Sequence, residues 1–341
     1  MGTHSCYQAT FALAAACYLI PSAPSRAAEP LASEWKLVWS DEFSAKAIDR
    51  KKWDFDLGNG FFNKEANQWI GGWGNGELQY YTQAPTNVFI KDGMLHIRVV
   101  KESFQGCGYT SASLKTRKQD GGALFNKKYG RFEFRAKLPT GRGIRPALWM
   151  LPQDEKYGGW AASGEIDVLE ARGQEPNKVL GTLHFGSGWP ENTLAGKDYV
   201  LPGKGTIADF HVYVLEWEPG LIRWSVDDHA YSSQSFWWSS RKRAGGKGAK
   251  TLKEADLNPW PAPFDQPFYL VMNVAVGGNF VGSPDRTTTF PAEMVVDYVR
   301  VYDKIGGYGA TRPRSPGKLP FVKPQPPAAR QLDSRRRSAR R

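Results

Sequence analysis

The segment Ser163-Gly164-Glu165-Ile166-Asp167-Val168-Leu169-Glu170 sets three acids close together in an otherwise apolar run. In a strand, successive side chains point to opposite faces. Ile166 and Val168 then face one way, and Glu165 and Asp167 the other. Strict alternation would put Leu169 beside Asp167. A β-bulge at Val168-Leu169 is therefore expected, because one absorbed residue returns Glu170 to the acidic face. Three carboxylates in line repel when all are ionised, so at least one is expected to hold a proton near neutral pH. An ionised carboxylate and a protonated carboxylic acid are the two reagents of retaining glycoside hydrolysis. The spacing makes a demand. The two glutamates are roughly 13 Å apart by strand rise, whereas retaining carboxyls sit about 5–5.5 Å apart. The strand must curve and both glutamates must lean over Asp167. The same acids would also suit a solvated strand face, or a cation such as Ca²⁺.

The aromatic residues supply a context. Sugar rings present flat C–H faces, for which exposed Trp and Tyr are natural platforms. The chain holds 13 Trp, 14 Tyr and 18 Phe. Trp69, Trp73, Tyr80, Tyr81, Trp149, Trp160, Trp189, Trp237, Trp238 and Trp260 are candidates, although most Trp in a β-sandwich are core. His184, in Gly181-Thr182-Leu183-His184-Phe185-Gly186, falls on the next apparent strand. It is placed to hydrogen-bond a sugar hydroxyl or an acid.

The elements that must position these groups are strands. Period-two alternation runs through Arg131–Leu138, Met94–Val99 and Leu221–Val226, with turns at Asp92-Gly93 and Asp227-Asp228. Phe268–Val276 is mostly apolar, as in a strand buried on both faces. Val295–Tyr302 is β-branched and aromatic. Long helical periodicity is missing. The pattern predicts an all-β fold, a sandwich of the jelly-roll kind. Residues 29–305 read as one domain without internal repeat, with an exposed loop near 241–255 that opens on Arg241–Lys247.

The ends read differently. Phe11–Ile20 is an apolar run, broken by Pro21 and followed by small residues around Ser25-Arg26-Ala27. It is too short for a membrane span, which takes about 20 residues. Residues 1–28 are expected to be a signal peptide, so the protein is expected to be secreted, extracellular or periplasmic. Cys17, after three alanines, also raises a lipoprotein anchor. Cleavage would leave Cys107 alone and exclude an intrachain disulfide. Residues 306–341 are rich in Pro and Arg and are expected to be a disordered basic tail. The formal net charge is +11, but beyond Ile305 ten basic residues face Asp333 alone. With Arg26 in the leader, the body is left near neutral. That excludes nucleic-acid binding by the fold and leaves an anionic surface as a candidate contact of the tail.

Taken in order, the motifs resemble glycoside hydrolase family 16, in its laminarinase (endo-β-1,3-glucanase) branch. The matching pieces include Leu37–Phe43, Glu77–Thr82, Tyr129–Glu133, Pro146–Pro152, Glu165–Glu170, Phe264–Phe268, Asn273–Asn279 and Val296–Tyr302. The resemblance implies a concanavalin-like jelly roll of two curved antiparallel sheets with a substrate cleft. It implies Glu165 as nucleophile, Glu170 as acid/base, and Asp167 between them, tuning the nucleophile. The bulged Glu-x-Asp-x-x-Glu spacing is similar to the laminarinase type. Trp149, His184, Asn273, Gln266 and Trp160 are the implied sugar-binding residues. No catalytic cofactor is implied. A structural Ca²⁺ is, with Glu42, the Gly93 carbonyl and Asp297 as the matching ligands. The implied partner is a β-glucan, and a monomer is expected. Alternatives on the same fold are a mixed-linkage glucanase, a galactanase and a non-catalytic glucan-binding module. Ala112-Ser113-Leu114-Lys115 and Phe280 depart from the branch, where Arg and Trp are usual, and both bear on linkage preference.

Overall fold

The structure is a computed structural model that describes residues 34–63, 67–241 and 252–316. The proposed signal peptide, most of the loop near Arg241–Lys247 and the tail beyond Pro316 lie outside the described residues. The first strands are β1 (Trp35–Asp41), β2 (Asp54–Asp56), β3 (Gly60–Asn63), β4 (Gln68–Gly71) and β5 (Gln79–Tyr81). Next come β6 (Val88–Lys91), β7 (Met94–Val99), β8 (Tyr109–Ser111), β9 (Ser113–Lys115) and β10 (Gly130–Lys137). The middle of the chain forms β11 (Ile144–Pro152), β12 (Glu165–Glu170), β13 (Lys178–Gly186), β14 (Asn192–Val200) and β15 (His211–Glu218). The last are β16 (Leu221–Val226), β17 (His229–Gln234), β18 (Phe268–Val276) and β19 (Ala292–Lys304).

These strands build the expected all-β sandwich. One sheet runs β17-β16-β15-β10-β19-β7-β6, with β1 also paired to β19. The other runs β14-β13-β12-β11-β18-β9-β2. All the ladders in both are antiparallel. The alternation read from sequence sets the core. Phe132, Phe134 and Ala136 of β10, Leu95, Ile97 and Val99 of β7, and Ile222 and Trp224 of β16 are fully buried. They meet Leu148 and Met150 of β11, Ile166 of β12, Leu183 of β13, and Leu270, Met272 and Val274 of β18. Every residue of β18 is buried, as its unbroken apolar run predicts. Asp92 and Gly93 take φ of 52° and 72°, and Asp227 and Asp228 take 48° and 65°. Two successive positive-φ residues suit the right-handed twist of a tight hairpin.

Four readings change. Trp237 and Trp238, candidate sugar platforms by sequence, are 0% and 1% exposed and belong to the core. The indole N–H of Trp237 donates to the Pro261 carbonyl at 2.8 Å, which satisfies its only polar atom. The basic tail does not begin at residue 306. Residues 306–316 form a strap: Arg312 N–H donates to Pro219 O at 3.0 Å and Ser315 N–H to Ser235 O at 2.9 Å. Trp260 Nε1 donates to Arg312 O at 2.7 Å, so Trp260 holds the strap rather than an open platform. The proposed calcium ligands do not fit an ion. Both Glu42 oxygens accept from Arg300, at 3.0 and 2.8 Å, and Asp297 Oδ2 accepts from Arg135 at 2.5 Å. Ca²⁺ takes six to eight oxygens around an open point, whereas these carboxylates are committed to guanidinium groups.

Candidate active site

The face of the seven-stranded sheet turned away from the core carries the polar residues. On β11, Ile144, Leu148 and Met150 enter the core, leaving Arg145, Ala147 and Trp149 on the opposite face. By the same alternation β18 presents Asn273, β13 presents His184, and β9 presents Ser113 and Lys115.

The bulge falls where the acids require it. Trp149 pairs with Asp167 and Leu148 with Leu169, so Val168 is the extra residue. Against β13 the register steps from Asp167↔Thr182 to Glu170↔Leu180, three residues against two. Glu165, Asp167 and Glu170 thereby share one face. A bulge leaves a backbone group without its ladder partner. Here Trp224, reaching across from β16, donates its indole N–H to Asp167 O at 2.8 Å. Gly164, at φ 87°, leads into β12; a Cβ there would lie 2.8 Å from the Phe264 ring.

The side chains around the acids are held on several sides. Trp160 Nε1 donates to Glu165 Oε2 at 2.7 Å. His184 Nε2 lies 3.4 Å from Asp167 Oδ2 and 3.7 Å from Glu165 Oε1. Arg145 Nη1 donates to Glu170 Oε1 at 3.0 Å, and Nη2 pairs with Glu77. Burial pushes the Asp167 carboxyl up to about 8, helped by the charges of Glu170 and Glu165. Burial also raises Glu165, a shift opposed by His184, Trp160 and Arg145. Burial alone would lower the His184 value. Asp167 and Glu165 overcome it and push the imidazole up to about 9. The charged form of His184 thus depends on an ionised acid beside it, and Glu165 is that partner when Asp167 holds its proton. The ligand atoms of Glu165, Asp167 and His184 lie within 4.8 Å of one another.

The other residues singled out by sequence divide in two. Trp160 and Trp189 are 38% and 56% exposed, and Trp189 N–H donates to Trp160 O at 2.9 Å. They remain open platforms. Trp149 is half-buried, and its Nε1 donates to Asn273 Oδ1 at 2.7 Å. Asn273 in turn donates to Tyr81 Oη at 2.8 Å, so it orients the indole. Tyr81 is buried and supports this relay rather than offering a free ring face. Gln266 is buried and donates to the carbonyls of Ser163 and Pro263, at 3.0 and 3.3 Å. It braces the turn before Glu165. Where the branch usually has Arg, Ser113 donates to Asp56 Oδ2 at 2.9 Å and Lys115 to Asp56 Oδ1 at 2.5 Å. Phe280 lies under the Arg172 guanidinium, 4.1 Å from its ring centre.

Sequence reasoning missed Arg145. The signal was present: Arg145, Ala147 and Trp149 alternate on one strand, and Trp149 was already placed in the cleft. A lone Arg beside a Pro has no motif of its own. Only the cross-strand pairing of Ala147 with Glu170 shows what it reaches.

Comparisons with known proteins place the chain in a family. The sequence profile described as glycosyl hydrolases family 16 matches residues 76–236. Glucan endo-1,3-beta-glucosidase A1 of Niallia circulans is 44% identical over 285 residues, 80% of this chain and 39% of that protein. The chain thus spans about two fifths of that relative's length. Beta-glucanase of Rhodothermus marinus is 44% identical over 277 residues, 80% of this chain and 86% of that one. The X-ray structure of the laminarinase from Rhodothermus marinus superposes with a TM-score of 0.64 at 42% identity, covering 79% of this chain and 98% of that one. The chain belongs to the glycosyl hydrolases family 16.

Proposed function

We propose that the protein is an endo-acting, retaining β-1,3-glucanase working on laminarin-like chains by double displacement. The bulge at Val168 carries the reading, because it sets an ionisable pair and a proton-holding aspartate on one face. Glu165 is the nucleophile. The Trp160 N–H and the His184 cation hold its oxygens and favour its ionised form. Asp167, neutral near pH 7, separates the two glutamates without adding a third negative charge. Glu170 supplies the proton to the leaving oxygen as Glu165 bonds to the anomeric carbon. Water then replaces the sugar's bond to Glu165 and gives its proton to Glu170, which returns the starting state. Every step runs on side chains of this chain.

The names of the two relatives above, and the exposed Trp160 and Trp189, support a β-glucan substrate. Glu165→Gln should leave folding unchanged and lower laminarin turnover by about 10⁴-fold or more. Retention is read by NMR as the β-anomer appearing first among the products. An α-anomer first, or undiminished turnover in the variant, would sink the reading. The apolar run Phe11–Ile20 and the small residues after it support secretion. Protein recovered outside the producing cell should lack residues 1–28 by mass; retention of the leader would refute export by cleavage.

A further inference from the structure

Arg145 lies two residues before Ala147, the cross-strand partner of Glu170. One arm of its guanidinium donates to Glu170 Oε1 at 3.0 Å, and the other pairs with Glu77 Oε1. Glu77 is itself fixed: its Oε2 accepts from Gln79 Nε2 at 2.7 Å, and its backbone bridges to Gly277. The Glu77 side chain is 2% exposed, against 19% for Arg145 and 12% for Glu170. Arg145 Nε is buried without a partner. An unpaired buried donor costs stability, so packing alone does not account for an arginine at this place.

We propose that Arg145, anchored by Glu77, is a positioning residue for Glu170. It holds Oε1 so that Oε2 presents the proton, and it neutralises the charge left on Glu170 after transfer. This rests on the reading of Glu170 as acid/base. In the first step Glu165 bonds to the anomeric carbon and the bond from that carbon to the leaving oxygen breaks. That oxygen takes the Glu170 proton, and Glu170 becomes an anion whose side chain is only 12% exposed, where an adjacent cation counts for more than in water. A guanidinium suits the task because it cannot be deprotonated. Held by Glu170 alone, it would favour the carboxylate over the acid. Glu77 shares that cation with Glu170 and offsets part of its charge. Among the described residues, Asp167 and Glu165 on β12 and His184 on β13 also act on Glu170, and Tyr81 on β5 acts on Arg145.

The test uses the full chain and two substrates: laminarin, and a dinitrophenyl β-1,3-oligoglucoside whose leaving group needs no proton. The double variant Arg145→Met/Glu77→Gln removes the pair without leaving a lone buried charge. Its kcat on laminarin should fall about 100-fold, and its first-step rate on the aryl substrate less than about threefold. The alkaline limb of kcat/KM should move up by about one pH unit. Glu77→Gln alone, which leaves the cation uncompensated, should move that limb down. Arg145→Lys should recover part of kcat. Equal losses on both substrates with an unmoved limb would overturn the proposal and leave a structural role. If the double variant does not fold by circular dichroism, the downward shift in Glu77→Gln decides; an unmoved limb there refutes it. Glu170→Gln separates the two readings. If it keeps laminarin turnover, the acid/base reading itself fails. If it loses that turnover while the limbs stay fixed in the other variants, only the role of Arg145 fails.

Discussion

Glu165 and His184 are cross-strand partners on β12 and β13, and the imidazole Nε2 lies 3.7 Å from Glu165 Oε1 and 3.4 Å from Asp167 Oδ2. One imidazole thus stands over two acids on a single strand. The pairing follows from antiparallel register, which sets directly opposed side chains about 5 Å apart. It gives the site a built-in charge balance near neutral pH, and several outcomes depend on it.

Replacing the imidazole should expose that balance. His184→Asn removes the cation that favours ionised Glu165, so the acid limb of kcat/KM on laminarin should move up by about one pH unit. Activity at the optimum should fall about tenfold, the equivalent of about 1.4 kcal/mol. An acid limb that stays in place would show that His184 does not govern the nucleophile.

Stability should carry the mark of Asp167. Its carboxyl is pushed up to about 8 from 3.8, chiefly by burial. The folded state therefore binds a proton that the unfolded chain releases, and this contribution to stability declines as pH rises from about 4 to about 8. Asp167→Asn mimics the neutral acid and has no proton to lose. Its Tm should fall less than the parent's between about pH 5 and about pH 8. Equal falls would mean that Asp167 is ionised in the folded protein.

Trp160 is expected to act in two separable ways. Trp160→Phe keeps a ring but removes the N–H to Glu165, so kcat should fall about tenfold with KM little changed. Trp160→Ala should raise KM as well, because the exposed sugar platform goes with it. A rise of KM in the Phe variant with normal kcat would reverse these assignments.

The strap gives a test that does not involve activity. Ending the chain after Ile305 removes the contacts of Arg312 with Pro219 and Trp260 and of Ser315 with Ser235. At about 1 kcal/mol net for each hydrogen bond, less the ordering of the strap, Tm should drop by about 4 °C. Ending it after Pro316 should leave Tm in place. The same Tm in both would return residues 306–316 to the tail.

The sequence by itself determined the all-β class, the alternating core of β7, β10 and β16, the buried run of β18 and the two positive-φ turns. Each of these is local, a matter of period two or of residues that tolerate an unusual φ. It also determined the three carboxylates and the bulge, since one extra residue is the sole way to bring Glu170 onto the face of Asp167. Tertiary structure decided what depends on partners far along the chain. Trp237 and Trp189 are indistinguishable as letters, yet one lies in the core and the other stands in solvent. Glu42 and Asp297 lie in matching motifs, yet each is claimed by an arginine of a neighbouring strand in the same sheet. Arg145 meets Glu170 only because β11 and β12 pair in one register, and meets Glu77 only because the chain before β5 returns to the same cleft. Burial and charge partnership are set by whole-chain packing. The protonation of Asp167 and His184, and the clamp on Glu170, therefore had to await the fold.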